Sequence, residues 1–164
     1  MTRMAKREDI LKEIWHAQDE AYDLMVEYDE LPHRYGNEFL YQAEGTIIDL
    51  IAIHPGVTTT ELSTILRKTA SACSQIVRKL REKGLVEQKR NRDNNRQYNL
   101  YLTEDGKRIY LDHVEFTRDC QEITFQCLSE FTEEELETHL KIQQRINEAY
   151  AGDVKRSRER FIKH

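Results

Sequence analysis

The polar side chains with the clearest chemical pattern in this sequence fall on one face of a helix that we predict over residues 69–83. They are Ser71, Ser74, Gln75, Arg78 and Lys79. Hydroxyl and amide groups match the donors and acceptors that base edges present in the major groove of DNA, and arginine reaches either a base or a phosphate. The chemistry that this face predicts is recognition of double-stranded DNA.

A second polar cluster lies a few residues further on, at a predicted hairpin turn. Its members are Arg90, Arg92, Asn94, Asn95 and Arg96. Arginine inserted into a narrow minor groove is attracted by the enhanced negative potential there. We therefore expect this turn to form a basic prong beside the helix.

The distribution of charge supports a surface that meets phosphate. The whole chain carries a net charge of −5, but residues 67–108 contain twelve Lys and Arg against five Asp and Glu, which gives +7 and leaves −12 for the remainder. A basic segment in an acidic frame is typical of a protein that faces nucleic acid on one side. Thr59, Thr60 and Lys68 are expected to contact phosphates, which orient the module without reading sequence.

The elements that position these side chains follow from hydrophobic periodicity and from helix-capping residues. The apolar spacing predicts a long helix over residues 8–31, ended by Pro32, and a second, buried helix over residues 38–53. The capping-box spacing of residues 58–61 opens a short helix that ends near Arg67. Leu62, Ile65 and Leu66 are expected to point inward from that short helix.

Further along, Thr69 caps the helix of residues 69–83 and Gly84 ends it. Two-residue alternation in residues 85–90 and 96–102, around a turn rich in Asn, predicts a β-hairpin. A helix then runs from Thr103 to about residue 129, and a last one from Thr132 to about residue 150. The basic residues from Lys155 onward are expected to be frayed.

This order predicts a mainly α fold with a small β-hairpin wing, a winged helix-turn-helix flanked by long N- and C-terminal helices. The chain of 164 residues is long enough for one ordinary domain, which we expect to span 1–164 with the DNA-binding lobe at 38–103 and a basic tail at 151–164. Hydrophobic residues make up only 38%, which suits an elongated helical protein that completes its core by pairing with a second copy.

Several runs resemble the multiple antibiotic resistance regulator (MarR) family. They are HPGVT at 54–58, Leu62-Ser63, QIVRKLREKGLV at 75–86 and LTEDG at 102–106. The resemblance implies a homodimer joined through dimerisation helices at 8–37 and 104–150. It also implies a palindromic DNA operator and repression that a small-molecule effector relieves. In the wing, Arg96 matches the family's arginine, whereas Asn94 stands where the family usually has aspartate.

The sequence favours no metal site and no other cofactor. There is no His-x-x-x-His pair and no compact Cys/His spacing, although a site assembled from distant residues such as His33 and His113 stays open. Three cysteines without Cys-x-x-Cys spacing predict reduced thiols. Cys73, Cys120 and Cys127 are interpreted as packing residues, with a thiol-based redox switch as the alternative.

The remaining expectations concern ligands, catalysis and location. Trp15, Tyr22, Tyr28, Tyr35, Tyr41, Phe39 and Phe125 are expected either to be core or interface aromatics or to line an effector pocket. We find no nucleophile elbow, phosphate loop or paired-carboxylate motif, and predict a protein that is not an enzyme. Without a long apolar stretch or an apolar leader, a cytoplasmic location without membrane insertion is expected. A winged helix that binds only protein partners is the competing hypothesis.

Overall fold

The computed structural model describes residues 3–91 and 97–162. The chain divides into two compact units, Met1–Thr117 and Arg118–His164, and each is described by itself. Among the described residues, no helix combines the length and hydropathy that crossing a bilayer would need.

The first unit contains most of the secondary structure. In chain order its elements are α1 (Arg3–Glu30), β1 (His33–Tyr35), β2 (Glu38–Leu40), α2 (Gln42–Ile53), α3 (Thr59–Leu66), α4 (Ala70–Glu82), β3 (Val86–Arg90), β4 (Tyr98–Leu102) and the first part of α5 (Glu104–Cys127). The second unit contains the end of α5 and α6 (Glu133–Phe161). The predicted fold, mainly α with a two-stranded wing after a helix-turn-helix, is confirmed.

One hydrophobic core holds α2, α3, α4 and the wing together. Its fully buried members include Ile47, Ile48, Ile51, Leu62, Val77, Leu80, Leu85 and Leu100. Each of the helices contributes one apolar stripe, so their polar faces are left outside the core.

Four of the predicted helix starts, those with a threonine cap, are confirmed because they depend on local hydrogen bonds. Thr58, Thr69 and Thr132 each accept a bond from a backbone N–H in the first turn of the following helix. Thr103 does the same for the N–H of Gly106 at 3.0 Å. Gly84 has the positive φ of 72° expected after a helix end.

The predicted helix over residues 38–53 is wrong in its first part. His33–Tyr35 and Glu38–Leu40 pair instead as an antiparallel ribbon around the two-residue turn Gly36-Asn37. Gly36 has a φ of 55°, which a residue with a side chain rarely adopts. A short apolar run fits a strand as well as a buried helix, and here the glycine turn decides.

Three smaller expectations are also corrected. Helix α1 begins at Arg3 instead of residue 8, and α6 continues to Phe161 through the tail that we expected to be frayed. Gly152 within α6 is tolerated, because glycine costs a helix interior only about 1 kcal/mol. Ile65 is half exposed instead of pointing inward.

Candidate nucleic-acid interface

Helix α3 begins at a capping box, and a tight turn after Leu66 joins it to α4. The Thr58 N–H donates to Glu61 Oε2 at 2.7 Å, and Thr58 Oγ1 accepts from the Glu61 N–H at 3.2 Å. The Thr58 hydroxyl also donates to Glu61 Oε2 at 2.8 Å, and the bonds that the backbone N–H and the hydroxyl of Thr58 donate to this carboxylate lower the pKa of Glu61, because they favour its charged form. At the next helix, Thr69 Oγ1 accepts from the Ala72 N–H at 3.2 Å.

The two faces of α4 differ sharply. Cys73, Val77 and Leu80 are buried in the core or beside it. Ser71, Ser74, Gln75, Arg78 and Lys79 are all exposed on the opposite face, as the periodicity predicts. Helix α4 therefore presents five polar side chains to solvent, while its opposite face is packed against the core.

Exposed charges on this face are only loosely paired. The nearest partner of Arg78 is Glu82, with Nε 3.7 Å from Oε1 and both side chains about two thirds exposed. Such an ion pair contributes little in water, since solvent and salt screen it. The guanidinium can therefore exchange this carboxylate for a phosphate at small cost.

Sequence reasoning missed the contacts that anchor the end of α4. Lys83 Nζ donates to Glu44 Oε1 at 3.0 Å and to the carbonyl oxygen of Phe39 at 2.8 Å. The side chain of Glu44 is 5% exposed and that of Lys83 is 27% exposed. Glu44 also accepts from the Tyr41 N–H at 3.0 Å, so one carboxylate begins α2 and holds the end of α4. No local sequence pattern signals the contact of Lys83 with Glu44, because the two residues are 39 positions apart.

The wing is a hairpin, and two hydrogen bonds join its strands at the end beyond Arg90 and Tyr98. The Asn91 N–H donates to Gln97 O at 3.0 Å, and Asn91 Nδ2 donates to Asn99 Oδ1 at 2.8 Å. Arg90, the last residue of β3, pairs with Tyr98 and is exposed. The other predicted wing residues, Arg92, Asn94, Asn95 and Arg96, lie outside the described residues, as does Asp93.

The wing is attached to the segment that precedes α3. The Gly56 N–H donates to Leu100 O at 2.8 Å, and the Leu100 N–H donates to Val57 O at 3.0 Å. Gly56 has a φ of 92°, and a Cβ there would lie 3.1 Å from the Tyr101 hydroxyl. Because these bonds join β4 to the start of the helix-turn-helix, the wing and the two helices are parts of one structure.

Lys89 adds a positive charge to the wing surface. Its Nζ lies 2.8 Å from Glu87 Oε1 and 4.9 Å from the centre of the Tyr101 ring. The hydrogen bond to Glu87 raises the pKa of the Lys89 ammonium, so this side chain stays charged.

The three predicted phosphate contacts lie at the two ends of α3. Thr60 and Lys68 are exposed, and Thr59 is partly buried. The first two residues of α3 are Thr59 and Thr60, and Lys68 stands between the two helices. All three therefore flank the outer face of α4 in sequence, and their role as phosphate contacts stays a prediction.

The histidines and cysteines do not assemble into a metal centre in the part of the chain that the structure describes, where no group of three potential ligands is found. His113 Nδ1 lies 2.9 Å from Asp49 Oδ1, and the Tyr35 hydroxyl lies 3.4 Å from His33 Nδ1. The Tyr35 ring is 5.2 Å from the His113 ring and 6.4 Å from the His33 ring. These contacts are those of a packed aromatic cluster.

The interpretation of the thiols as packing residues holds for Cys73, which is fully buried. Cys120 is partly buried and Cys127 is exposed in the single chain, and for these two residues the interpretation stays a prediction. Of the expected pocket aromatics, Tyr35 is buried and Tyr28 is partly buried. The others are exposed: Trp15, Tyr22, Phe39, Tyr41 and Phe125.

A helix-turn-helix followed by an attached hairpin defines a winged-helix protein. Solved structures with this fold include the MarR family transcription regulator SP03579, with a TM-score of 0.74 at 20% identity over 94% of this chain and 99% of that one. The zinc-responsive MarR family member ZitR of Lactococcus lactis has a TM-score of 0.74 at 17% identity over 86% and 99%. FabT of Streptococcus pneumoniae, in complex with DNA, has a TM-score of 0.61 at 22% identity over 92% and 99%.

The sequence itself adds the family. Residues 42–97, from α2 to the far side of the wing, match the model of the MarR family. The resemblance seen in the sequence is thereby confirmed. Among curated proteins, none matches this sequence.

Proposed function

We propose that this protein is a transcription regulator that binds double-stranded DNA sequence-specifically through α4 and the wing. The observation that carries the proposal is the exposed polar face of α4, whose opposite side is fixed in the core. Ser71, Ser74 and Gln75 lie in the N-terminal half of the helix, the half that reads base edges in helix-turn-helix proteins. Related folds crystallised with DNA, FabT and ZitR, add support.

The proposal divides the contacts by role. Gln75 is assigned to base reading, since its amide can donate and accept at an adenine edge. Arg78, Lys79 and Lys68 are assigned mainly to the phosphates that position the helix. Arg90 and Arg96 are assigned to the minor groove beside it.

We include a homodimer in the proposal. Helix α6 is 29 residues long and has no buried residue in the single chain, although it carries Leu136, Leu140 and Ile142. Helix α1 also has exposed large apolar side chains, among them Ile10, Leu11 and Trp15. Apolar helix faces of this extent need a partner, and two-fold symmetry of the protein matches a palindromic operator.

Repression relieved by a small molecule completes the proposal. A cleft of about 470 Å³ lies beside the anchored end of α4, where its lining includes Lys83, Arg108 and Asp112. This volume lies in the range of small-molecule sites. A ligand that drew Lys83 away from Glu44 would loosen the end of α4 and weaken operator binding.

The test is selection of duplexes from a random-sequence pool, followed by gel shifts on the selected duplex and on a scrambled one. Gln75→Ala should lose about 10- to 100-fold of its discrimination against one changed base pair. Arg96→Ala should weaken binding to both duplexes. Gln144→Ala, which removes an exposed amide from α6, serves as the control and should bind like the wild type.

Two results would contradict the proposal. If both interface variants bound as the wild type does, the assignment to α4 and the wing would be wrong. If the folded wild-type protein retained no duplex even at low salt, a winged helix that binds only protein partners would be the better description.

A further inference from the structure

The end of α4 is built in the way that helices commonly end. The Gly84 N–H donates to Arg81 O at 2.9 Å, and the Leu85 N–H donates to Leu80 O at 2.9 Å. This pair of bonds is the Schellman motif, which requires a left-handed residue at the position of Gly84. Glycine meets that requirement without steric cost, since it has no Cβ.

Helix α3 ends with the same two bonds but without the glycine. The Arg67 N–H donates to Thr64 O at 3.3 Å, and the Lys68 N–H donates to Ser63 O at 3.1 Å. Arg67 has a φ of 52° and a ψ of 35°, and it is the only non-glycine residue with a positive φ among the described residues. The Cβ of an L-residue is crowded in this conformation, so an arginine here costs folding stability.

The packing around Arg67 does not offset that cost. In the motif of α4, Leu80 and Leu85 are both fully buried and supply its usual apolar contact. The equivalent residues at the end of α3 are Ser63 and Lys68, of which Ser63 is partly buried and Lys68 is exposed. No gain in burial explains why an arginine occupies the left-handed position.

The side chain of Arg67 is exposed, and no residue in the described ranges forms an ion pair or hydrogen bond with its guanidinium. It stands in the turn of the helix-turn-helix, next to Lys68 and two residues before the cap of α4 at Thr69. A strained residue whose side chain has no ion pair or hydrogen bond with the described residues points to a role outside its own chain.

We propose that Arg67 contacts a DNA phosphate, and that this contact is the reason why an arginine stands at a position where glycine would stabilise the fold. The inference rests on the proposed function, since it requires that α4 docks on DNA. It adds a cation at the turn, which the charge pattern alone did not distinguish from the other eleven Lys and Arg of residues 67–108.

The test compares Arg67→Gly, Arg67→Asn and Arg67→Lys with the wild type, for thermal stability and for binding to the selected and scrambled duplexes over a range of salt. Glycine relieves the strain, so Arg67→Gly should raise the Tm by about 2–4 °C. Its affinity should fall on both duplexes, and the slope of log K against log salt should flatten by about 1.8 for the dimer, which is about 0.9 for each of its two Arg67 phosphate contacts. Asparagine tolerates the left-handed region and should act in the same direction on both properties.

Arg67→Lys keeps both the charge and the strain, so it should resemble the wild type in Tm and salt slope. Lys12→Asn, which removes one exposed charge from α1, is the control and should leave the salt slope unchanged. An unchanged slope in Arg67→Gly, or a loss confined to the selected duplex, would overturn the phosphate contact. A lower Tm in Arg67→Gly would overturn the stability cost. If the wild type itself bound neither duplex, the proposed function would fail together with this inference.

Discussion

The winged-helix segment and helix α6 are built on opposite principles. Residues 42–102 place their apolar side chains in a core, where Leu80 is 0% exposed, while Leu140 of α6 is 57% exposed in the single chain. Each has capped helices, a lysine–glutamate pair and a helical glycine, so the two can be compared residue by residue. Helix caps form equally well in both regions. Only the winged-helix segment buries its apolar side chains within the single chain.

The largest contrast is expected from removing one leucine in each region. Leu80→Ala should lower the free energy of unfolding by about 2–5 kcal/mol at any protein concentration, since it leaves a cavity in the core. Leu140→Ala should cost little in the dissociated chain and act through a raised dimer dissociation constant. Urea unfolding at several protein concentrations, with sedimentation analysis, measures both. Equal, concentration-independent losses would erase the contrast.

The two lysine–glutamate pairs should differ almost as much. Lys83→Met leaves the buried Glu44 carboxylate without its partner and should cost about 2–3 kcal/mol. Lys141 lies 3.6 Å from Glu137, with both side chains exposed, so Lys141→Met should change stability by less than about 0.5 kcal/mol. Urea unfolding of the two variants decides. A small effect of Lys83→Met would mean that this pair does not anchor α4.

Replacing the helical glycines Gly45 and Gly152 with alanine should change the stability in opposite directions. At Gly45 an added Cβ would lie 2.8 Å from His113 Nε2, so Gly45→Ala should destabilise by about 1–3 kcal/mol. At Gly152 a Cβ would meet the end of the flexible Arg156 side chain at 3.1 Å. Gly152→Ala should therefore stabilise α6 by about 0.5–1 kcal/mol. Thermal unfolding measures both signs, and the same sign in both variants would contradict this prediction.

The smallest contrast concerns the two capping boxes. Hydrogen bonds from Thr58 lower the pKa of Glu61, and those from Thr132 lower the pKa of Glu135. A lowered carboxyl pKa stabilises the fold above the ordinary value of 4.5 and loses that effect as pH falls through the lowered value. Thr58→Ala should cost about 1 kcal/mol at pH 7, and less in acid.

In α6, Thr132→Ala removes the same bonds from an exposed helix end. We expect a loss of helicity by circular dichroism that is local to α6, with the core transition unchanged. If the difference between Thr58→Ala and its parent did not shrink below pH 4.5, the carboxylate would not be part of the box.

The sequence predicted those features that depend on neighbours in the chain. The caps at Thr58 and Thr69 and the two faces of α4 all follow from spacings of three or four residues. The bond from Lys83 to Glu44 joins residues 39 positions apart, which no local pattern reveals. The left-handed Arg67 could not be predicted either, because arginine normally avoids that region.

Two other misses have a local cause. The sequence predicts a helix for the residues of β2 because Phe39 and Leu40 continue the apolar run of α2. The periodicity predicts that Ile65 points inward. It is half exposed because the core covers only part of the apolar stripe of this short helix.

The anchoring of α4 at Lys83 has a geometric consequence for reading DNA. The proposed base-reading residues begin at Ser71, twelve positions before Lys83. At 1.5 Å per residue, this separation is about 18 Å along the helix axis. A tilt of about 10° around the anchored end would move Ser71 by about 3 Å, close to the rise of one base pair. A small change in the angle of α4 at the Lys83–Glu44 ion pair would therefore change which base pair Ser71 faces.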